Sequence, residues 1–284
     1  MKKKLLILPV ILYSIFLIIC PLIYILILSF LKSDSYGGVI FTLTLENYKE
    51  LFDFVYIKIF LKSFVIALVT TLFSILISYP FCIFLSSKKK IVKDIIMTLV
   101  IIPFLTNSLI RTYGVIILLR KEGIINNILM SLNIINNPLK LMYNNFGIIM
   151  GMTYTLLPFM ILPLFASVDK IDKNLYSAAS DLGANKLKIF KEIILPLSIP
   201  GLFNGSLMVF IPCIGFFFIA DLLGGGKLML LGNLIKNQFL TARNWPFGAS
   251  ISIVLIIVTF ILVSIYRKLG GKMEDLGGMW YEKN

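Results

Sequence analysis

The residues able to do chemistry are few, and their types narrow the field. The chain has no histidine, which excludes a histidine base and a histidine-ligated zinc. Its three cysteines, Cys20, Cys82 and Cys213, all sit in apolar runs, so they imply no disulfide framework and read as small buried hydrophobes. The run Asp221-Leu-Leu-Gly-Gly-Gly-Lys227 is not a phosphate loop: it follows an apolar segment rather than a strand, and no Lys-Ser/Thr pair follows at the required spacing. No catalytic constellation and no metal site emerges. What remains is a lone carboxylate, an arginine and a few aromatics, whose use the residue types alone leave open. Asp221 is a lone carboxylate at the end of a span rich in helix breakers, with Phe216, Phe217 and Phe218 before it, and Tyr113 is a further aromatic. Taken by itself, Asp221 reads as the residue that pins the Gly224–Gly226 turn. Arg111, inside an apolar run, either faces a cavity or partner or extends its head to the membrane surface.

The elements that must position these residues are membrane helices. Of the 284 residues 58% are hydrophobic and 14% charged, with mean hydropathy +0.95; a soluble domain carries about a quarter charged residues. The expected fold is all-α and polytopic, with six transmembrane helices in a single domain, 1–284. The spans read as 5–31, 59–85, 95–119, 145–168, 197–220 and 247–266. The first is too long for a signal-peptide apolar core and lacks a small-residue cleavage site; Pro21 is expected to kink it. Residues 32–58 form an outer segment with a short interfacial helix after Thr44. Thr70, Thr71, Ser74 and Ser78 recur about once per turn and mark a packing face. Pro103 interrupts the third span. In the fourth, Gly147 and Gly151 make a small-x-x-x-small pair. The fifth holds Pro200, Gly201, Asn204, Gly205, Pro212 and Gly215, which fits either a pathway-lining helix or tight helix packing. A connector of about 25 residues, ending at an interfacial Trp245, leads to the last span.

The net charge of +13 could suggest nucleic acid, but its placement argues otherwise. The connectors assigned to the inside, such as Lys88-Lys89-Lys90 and Lys93, are the densest in cations, which is the positive-inside bias. Both termini are then cytoplasmic, with Arg267, Lys268 and Lys272 at the inner end of the last span. The heavy use of Ile, Lys and Asn points to an AT-rich bacterial genome.

One inner connector stands apart. Residues 169–196, DKIDKNLYSAASDLGANKLKIFKEIILP, are long enough for two short helices broken at Gly183. Asp169, Asp172 and Asn174 are possible caps. A second helix is expected from Asn185 to about Leu195, with Leu187, Phe190 and Ile194 on one face. Periodicity alone fits a basic hairpin resting on lipid headgroups equally well.

The residue order says more. Ser177-Ala178-Ala179, three residues, Gly183, nine residues, then Ile193-x-Leu195-Pro196 resembles the "EAA" loop of importer permeases in the ATP-binding-cassette (ABC) superfamily. One departure is plain: Ser177 stands where that motif has glutamate. The stretch Phe210–Ser250, the Arg111-Thr112-Tyr113 triplet and, more weakly, Thr44-Leu-Glu-Asn-Tyr48 resemble the B-type permease subunits of spermidine/putrescine ABC importers. The resemblance implies a type I importer fold in the bacterial cytoplasmic membrane. It implies a homologous C-type permease partner, two cytoplasmic ATPase subunits and an extracellular polyamine-binding protein. It also implies that ATP and Mg are bound by the ATPases, with no cofactor on this chain. Segment 169–196 becomes an ATPase-coupling loop, with Ser177, Ala178, Ala179, Asp181, Gly183, Leu187 and Phe190 as contacts. Asp221, Arg111, Tyr113, Asn204, Phe216 and Phe217 become candidates for the substrate pathway; for a polyamine the resemblance implies that Asp221 either receives an ammonium group, with aromatic faces to help, or only pins its turn. A permease for another solute (an anion, a metal or a sugar) and a non-transporting membrane scaffold are the alternatives. A self-contained secondary transporter is disfavoured, because no convincing carboxylate pair lies at midplane depth.

Overall fold

The computed structural model describes residues 2–34, 37–226 and 228–268, with side chains from Tyr13 to Ile265 among them. The expectations for Lys227, for the inner anchors Arg267, Lys268 and Lys272, and for the tail fall outside these residues or side chains. The elements in chain order are α1 (Lys2–Ser29), β1 (Leu31–Ser33), β2 (Val39–Leu43), α2 (Glu46–Glu50), α3 (Phe54–Ser86), α4 (Lys90–Leu105), α5 (Ser108–Leu119) and α6 (Ile124–Ser131). They continue with α7 (Asn145–Val168), α8 (Lys173–Asp181), α9 (Lys186–Ile189), a π turn (Phe190–Ile194), α10 (Leu195–Gly215), α11 (Phe218–Gly224), α12 (Leu231–Leu240) and α13 (Trp245–Lys268).

Among the described residues four helical stretches are long and apolar enough to cross a membrane, at Phe54–Ser86, Asn145–Val168, Lys186–Gly215 and Trp245–Ile265. A fifth crossing is available if α4 and the α5–α6 stretch, bent by 99° at their junction, count as one broken span. The described apolar part of α1 is Tyr13–Ser29. A 24-residue helix such as α7 reaches about 36 Å at 1.5 Å per residue, against a hydrocarbon core of about 30 Å.

The residues fall into two compact units. One runs to Leu61 and resumes over Leu231–Ile261. Here the outer segment departs from expectation: β1 and β2 pair antiparallel, with Lys32 opposite Ile40, before the short helix α2. Asn47 explains the turn. It is buried, and its Nδ2 donates to the carbonyls of Ser29 and Leu31, tying α2 back to the end of α1. Glu46 N donates to Thr44 Oγ1, so Thr44 holds the helix start as its sequence position suggests. Helix α12 occupies part of the connector of about 25 residues, for which no helix was expected. Cys20, expected to be buried, is exposed on α1, on a helix whose apolar side chains lie almost wholly uncovered. The helix continues through Pro21 without a break.

The other unit holds Lys62–Leu230. Its core is α7 packed along α10. Small residues permit the approach: a Cβ on Gly201 would lie 2.5 Å from the Pro163 carbonyl oxygen, and one on Gly205 would lie 2.8 Å from Met160 Sδ. Gly201 and Gly205 of the fifth span therefore serve packing, whereas Gly215 has open space around it. Gly151 does the same on the other side of α7, where a side chain would run into Leu223 of α11. Thr70, Thr71, Ser74 and Ser78 are buried along α3, as the packing-face reading expects. Two expected spans are broken. α4 runs through Pro103 and ends two residues later at Leu105, because Thr106 is extended (ψ 157°) and Asn107 caps a new helix. α10 stops at Gly215, with Phe216 extended (ψ 106°) before α11.

Candidate functional site

Segment 169–196 begins where α7 ends. Asp169 is the C-cap of α7 and pairs with Lys93 near the start of α4, so it is not a helix start. Asp172 is the cap of α8: its Oδ1 accepts from Asn174 N at 2.9 Å. Gly183 has φ +80° with open space around it, the left-handed conformation that stops a helix and that side chains disfavour. Asn185 then caps the next turn through Lys188 N at 2.9 Å. The expected second helix does not end before the membrane. It passes from α9 through the π turn into α10 as one stretch, Lys186–Gly215.

The π turn also corrects the expected face. Leu187 is 63% exposed, whereas Phe190 is half-buried and Ile194 is buried. A π turn closes i→i+5 bonds and holds more residues per turn, so positions beyond Phe190 fall out of step with Leu187. Ile171, Ile194, Tyr79, Cys82, Ile161, Leu164 and Val168 form a buried cluster, joined by Tyr176, Ile189, Phe190 and Ile193. Burial pushes the Tyr176 phenol above its ordinary range. Ser177, Ala178, Asp181, Leu182, Gly183 and Leu187 lie exposed, and Ala179 is half-buried. Leu182, which sequence reasoning passed over, is 88% exposed at the tip. The segment thus has an anchored face and a bare, partly apolar one.

The pathway candidates are less concentrated. Asn107 Oδ1 accepts from Leu109 N at 2.8 Å and starts α5, which carries Arg111 and Tyr113. The Arg111 guanidinium lies 5.5 Å from the Phe104 ring centroid, across the α4–α5 break. Its Nε is buried with no hydrogen-bond partner among the described residues. Tyr113 is 55% exposed. Phe216 and Phe217 lie at the α10–α11 break, with ring centroids 5.3 and 6.1 Å from that of Phe218, the first tilted and the second edge-on. Asp221 is half-buried in the first turn of α11, a helix that ends at Gly225 in the left-handed conformation. α11 packs against both α5 and α7, which brings Asp221, Phe216, Phe217, Arg111 and Tyr113 onto adjoining elements. Asn204 stands apart. It is buried with an unpartnered Oδ1, and the 12 positions from Asn204 to Phe216 span about 18 Å of helix.

Two features had no sequence signal beyond residue type. Tyr79, in mid-span of α3, places its hydroxyl 2.6 Å from Ser198 Oγ of α10; a buried tyrosine needs such a partner. Asn126, fully buried, donates to the carbonyls of Arg120, Lys121 and Leu139 and accepts from Leu139 N. It thereby shapes an open cavity of about 550 Å³ lined by residues 119–122 and 139–144. No predicted site residue lines that cavity.

A family model described as "binding-protein-dependent transport system inner membrane component" matches residues 78–275. The chain is 42% identical over 250 residues to the spermidine/putrescine transport system permease protein PotB of Escherichia coli (strain K12), covering 87% of this chain and 91% of that one. It is 39% identical over 256 residues to the protein of the same name from Haemophilus influenzae, covering 90% of each. Among solved structures, a bacterial ABC transporter involved in the import of the acidic polysaccharide alginate matches with a TM-score of 0.71 at 15% identity, covering 95% of this chain and 96% of that one. A second alginate transporter structure, with an alginate-bound periplasmic protein, gives a TM-score of 0.73. At that identity the likeness concerns the fold alone.

Proposed function

This chain belongs to the binding-protein-dependent transport system inner membrane component family, and from that premise we infer that it is the membrane-spanning subunit of an ATP-driven importer of spermidine or putrescine. The observation that carries the substrate class is the 42% identity, over nine-tenths of its length, to a permease named for these polyamines. The chain itself is a permease and not an ATPase; hydrolysis, with its ATP and Mg, belongs to partner subunits. Transport proceeds by alternating access.

In the full reading the chain crosses the cytoplasmic membrane six times: α1, α3, the bent α4–α5 pair, α7, the α9–α10 rod and α13. Both termini and segment 169–196 lie inside. A homologous permease completes the pathway, an extracellular polyamine-binding protein delivers the substrate, and one of two ATPase subunits grips this chain's coupling segment. What supports the grip is the division of that segment into a face anchored on α3 and α7 and a bare face with Leu182, Gly183 and Leu187 at the tip. Ser177 leaves the contact without the charge that a glutamate supplies, so apolar burial carries more of it.

Asp221 is the proposed receiver of an ammonium group, since it shares the α5–α7–α11 neighbourhood with the exposed Tyr113 and with Phe216 and Phe217. The experiment for the whole reading is reconstitution of the four-component complex in vesicles with labelled spermidine and a competing anion. ATP-dependent uptake that excess putrescine blocks and sulfate does not is the expected result. Uptake blocked by the anion instead would move the chain to another solute class.

A further inference from the structure

Lys186–Gly215 is one helical rod, but its winding changes at Phe190–Ile194, where Leu195 N donates to the Phe190 carbonyl across a π turn. Such turns interrupt the regular ladder and often mark functional sites. A rod pushed at the Leu187 end tends to yield there. Three side chains brace the spot. The Phe190 ring stands edge-on to Tyr79 of α3, with centroids 5.3 Å apart and planes at 79°. The Tyr79 hydroxyl is 2.6 Å from Ser198 Oγ, and both residues are buried. Ser198 Oγ in turn lies 2.6 Å from the carbonyl oxygen of Ile194, the last residue of the π turn. A serine hydroxyl has a single proton. Ser198 gives it to the Ile194 carbonyl, so Tyr79 is the donor to Ser198. The chain of bonds therefore runs from α3, through Ser198, onto the π turn itself.

We propose that Tyr79 and Ser198, with Phe190 as the bearing surface, form the joint that transmits movement of the coupling segment to α3 and α10 together. With the joint intact, a displacement at the segment's tip turns α10 and drags α3 with it. Without it, the π turn flexes and absorbs the stroke. Both residues are positioning residues: neither touches substrate or ATP. The proposal rests on the reading of 169–196 as the ATPase handle.

The test is Tyr79→Phe in the reconstituted complex, with Ser198→Ala as a second variant and Ser198→Thr as the conservative rescue. The measured quantity is the number of spermidine molecules imported per ATP hydrolysed. Tyr79→Phe keeps the ring on Phe190 and removes one oxygen, so ATPase co-purification and basal hydrolysis stay at wild-type levels. The import-to-hydrolysis ratio falls roughly five-fold, the scale of one buried hydrogen bond. Ser198→Ala gives a similar fall, the double variant adds little to either, and Ser198→Thr restores the ratio. An unchanged ratio in both single variants, with normal assembly, overturns the joint. So does failure of both to assemble, which makes the pair a folding staple. A wild-type complex that does not bind the ATPase, or imports no polyamine, strikes the underlying reading instead.

Discussion

The coupling tip allows a prediction in which stability and binding separate cleanly. Leu182 is 88% exposed and Leu187 63% exposed. Replacing Leu182 with Ser removes almost no buried apolar surface from this chain, so its thermal midpoint stays put. If an ATPase groove covers the tip, the same change removes a leucine that is buried only in the complex. Full burial of such a side chain is worth about 1.5–3 kcal/mol, which corresponds to roughly a 10- to 100-fold weaker Kd. Leu187→Ser, starting from a less exposed residue, costs somewhat less. The assay is titration of the permease pair in lipid nanodiscs with fluorescently labelled ATPase, alongside thermal unfolding of the permease alone. An affinity within two-fold of wild type, with folding intact, would falsify the grip at this tip. A matched loss of vesicle association by the isolated segment would restore the lipid-headgroup alternative.

Other outcomes follow from single residues. Asp221→Asn keeps the size of the side chain and removes its charge, so polyamine uptake falls while protein level and ATPase binding hold; unchanged uptake removes the receiver role. Gly201→Ala sets a methyl group against the Pro163 carbonyl, 2.5 Å away, and an overpacked site of this kind costs about 1–3 kcal/mol; a lowered thermal midpoint checks it. Asn126→Ala strips hydrogen bonds from the carbonyls of Arg120, Lys121 and Leu139. Amide exchange over residues 120–144 is then expected to quicken with no change in the coupling segment, and slow exchange there would show that the clamp is dispensable.

Much of the candidate site was legible because it is written in local chemistry. The caps Asp172 and Asn185 and the stop at Gly183 follow from side chains that bond their own backbone two or three residues on. The spacing from Ser177 to Pro196 is a property of the chain, so its likeness to importer permeases survives any packing. What misled was the assumption of an unbroken α-period: one π turn placed Leu187 and Ile194 in different surroundings. The β1–β2 pair was missed because Val39–Leu43 alternates weakly and its partner strand has three residues.

Composition settled that this is a chain for a bilayer, and residue order settled its family, since both are carried by the sequence before any contact forms. The fold alone decided which of two uses some ambiguous residues serve. Gly201 and Gly205 could line a passage or admit a neighbouring helix, and only the α7–α10 contact assigns them to the second. Tyr79 and Ser198 are 119 positions apart. No periodicity links residues so distant; they meet because the fold brings α3 and α10 together at this buried cluster, and a buried hydroxyl binds whichever oxygen that packing sets before it.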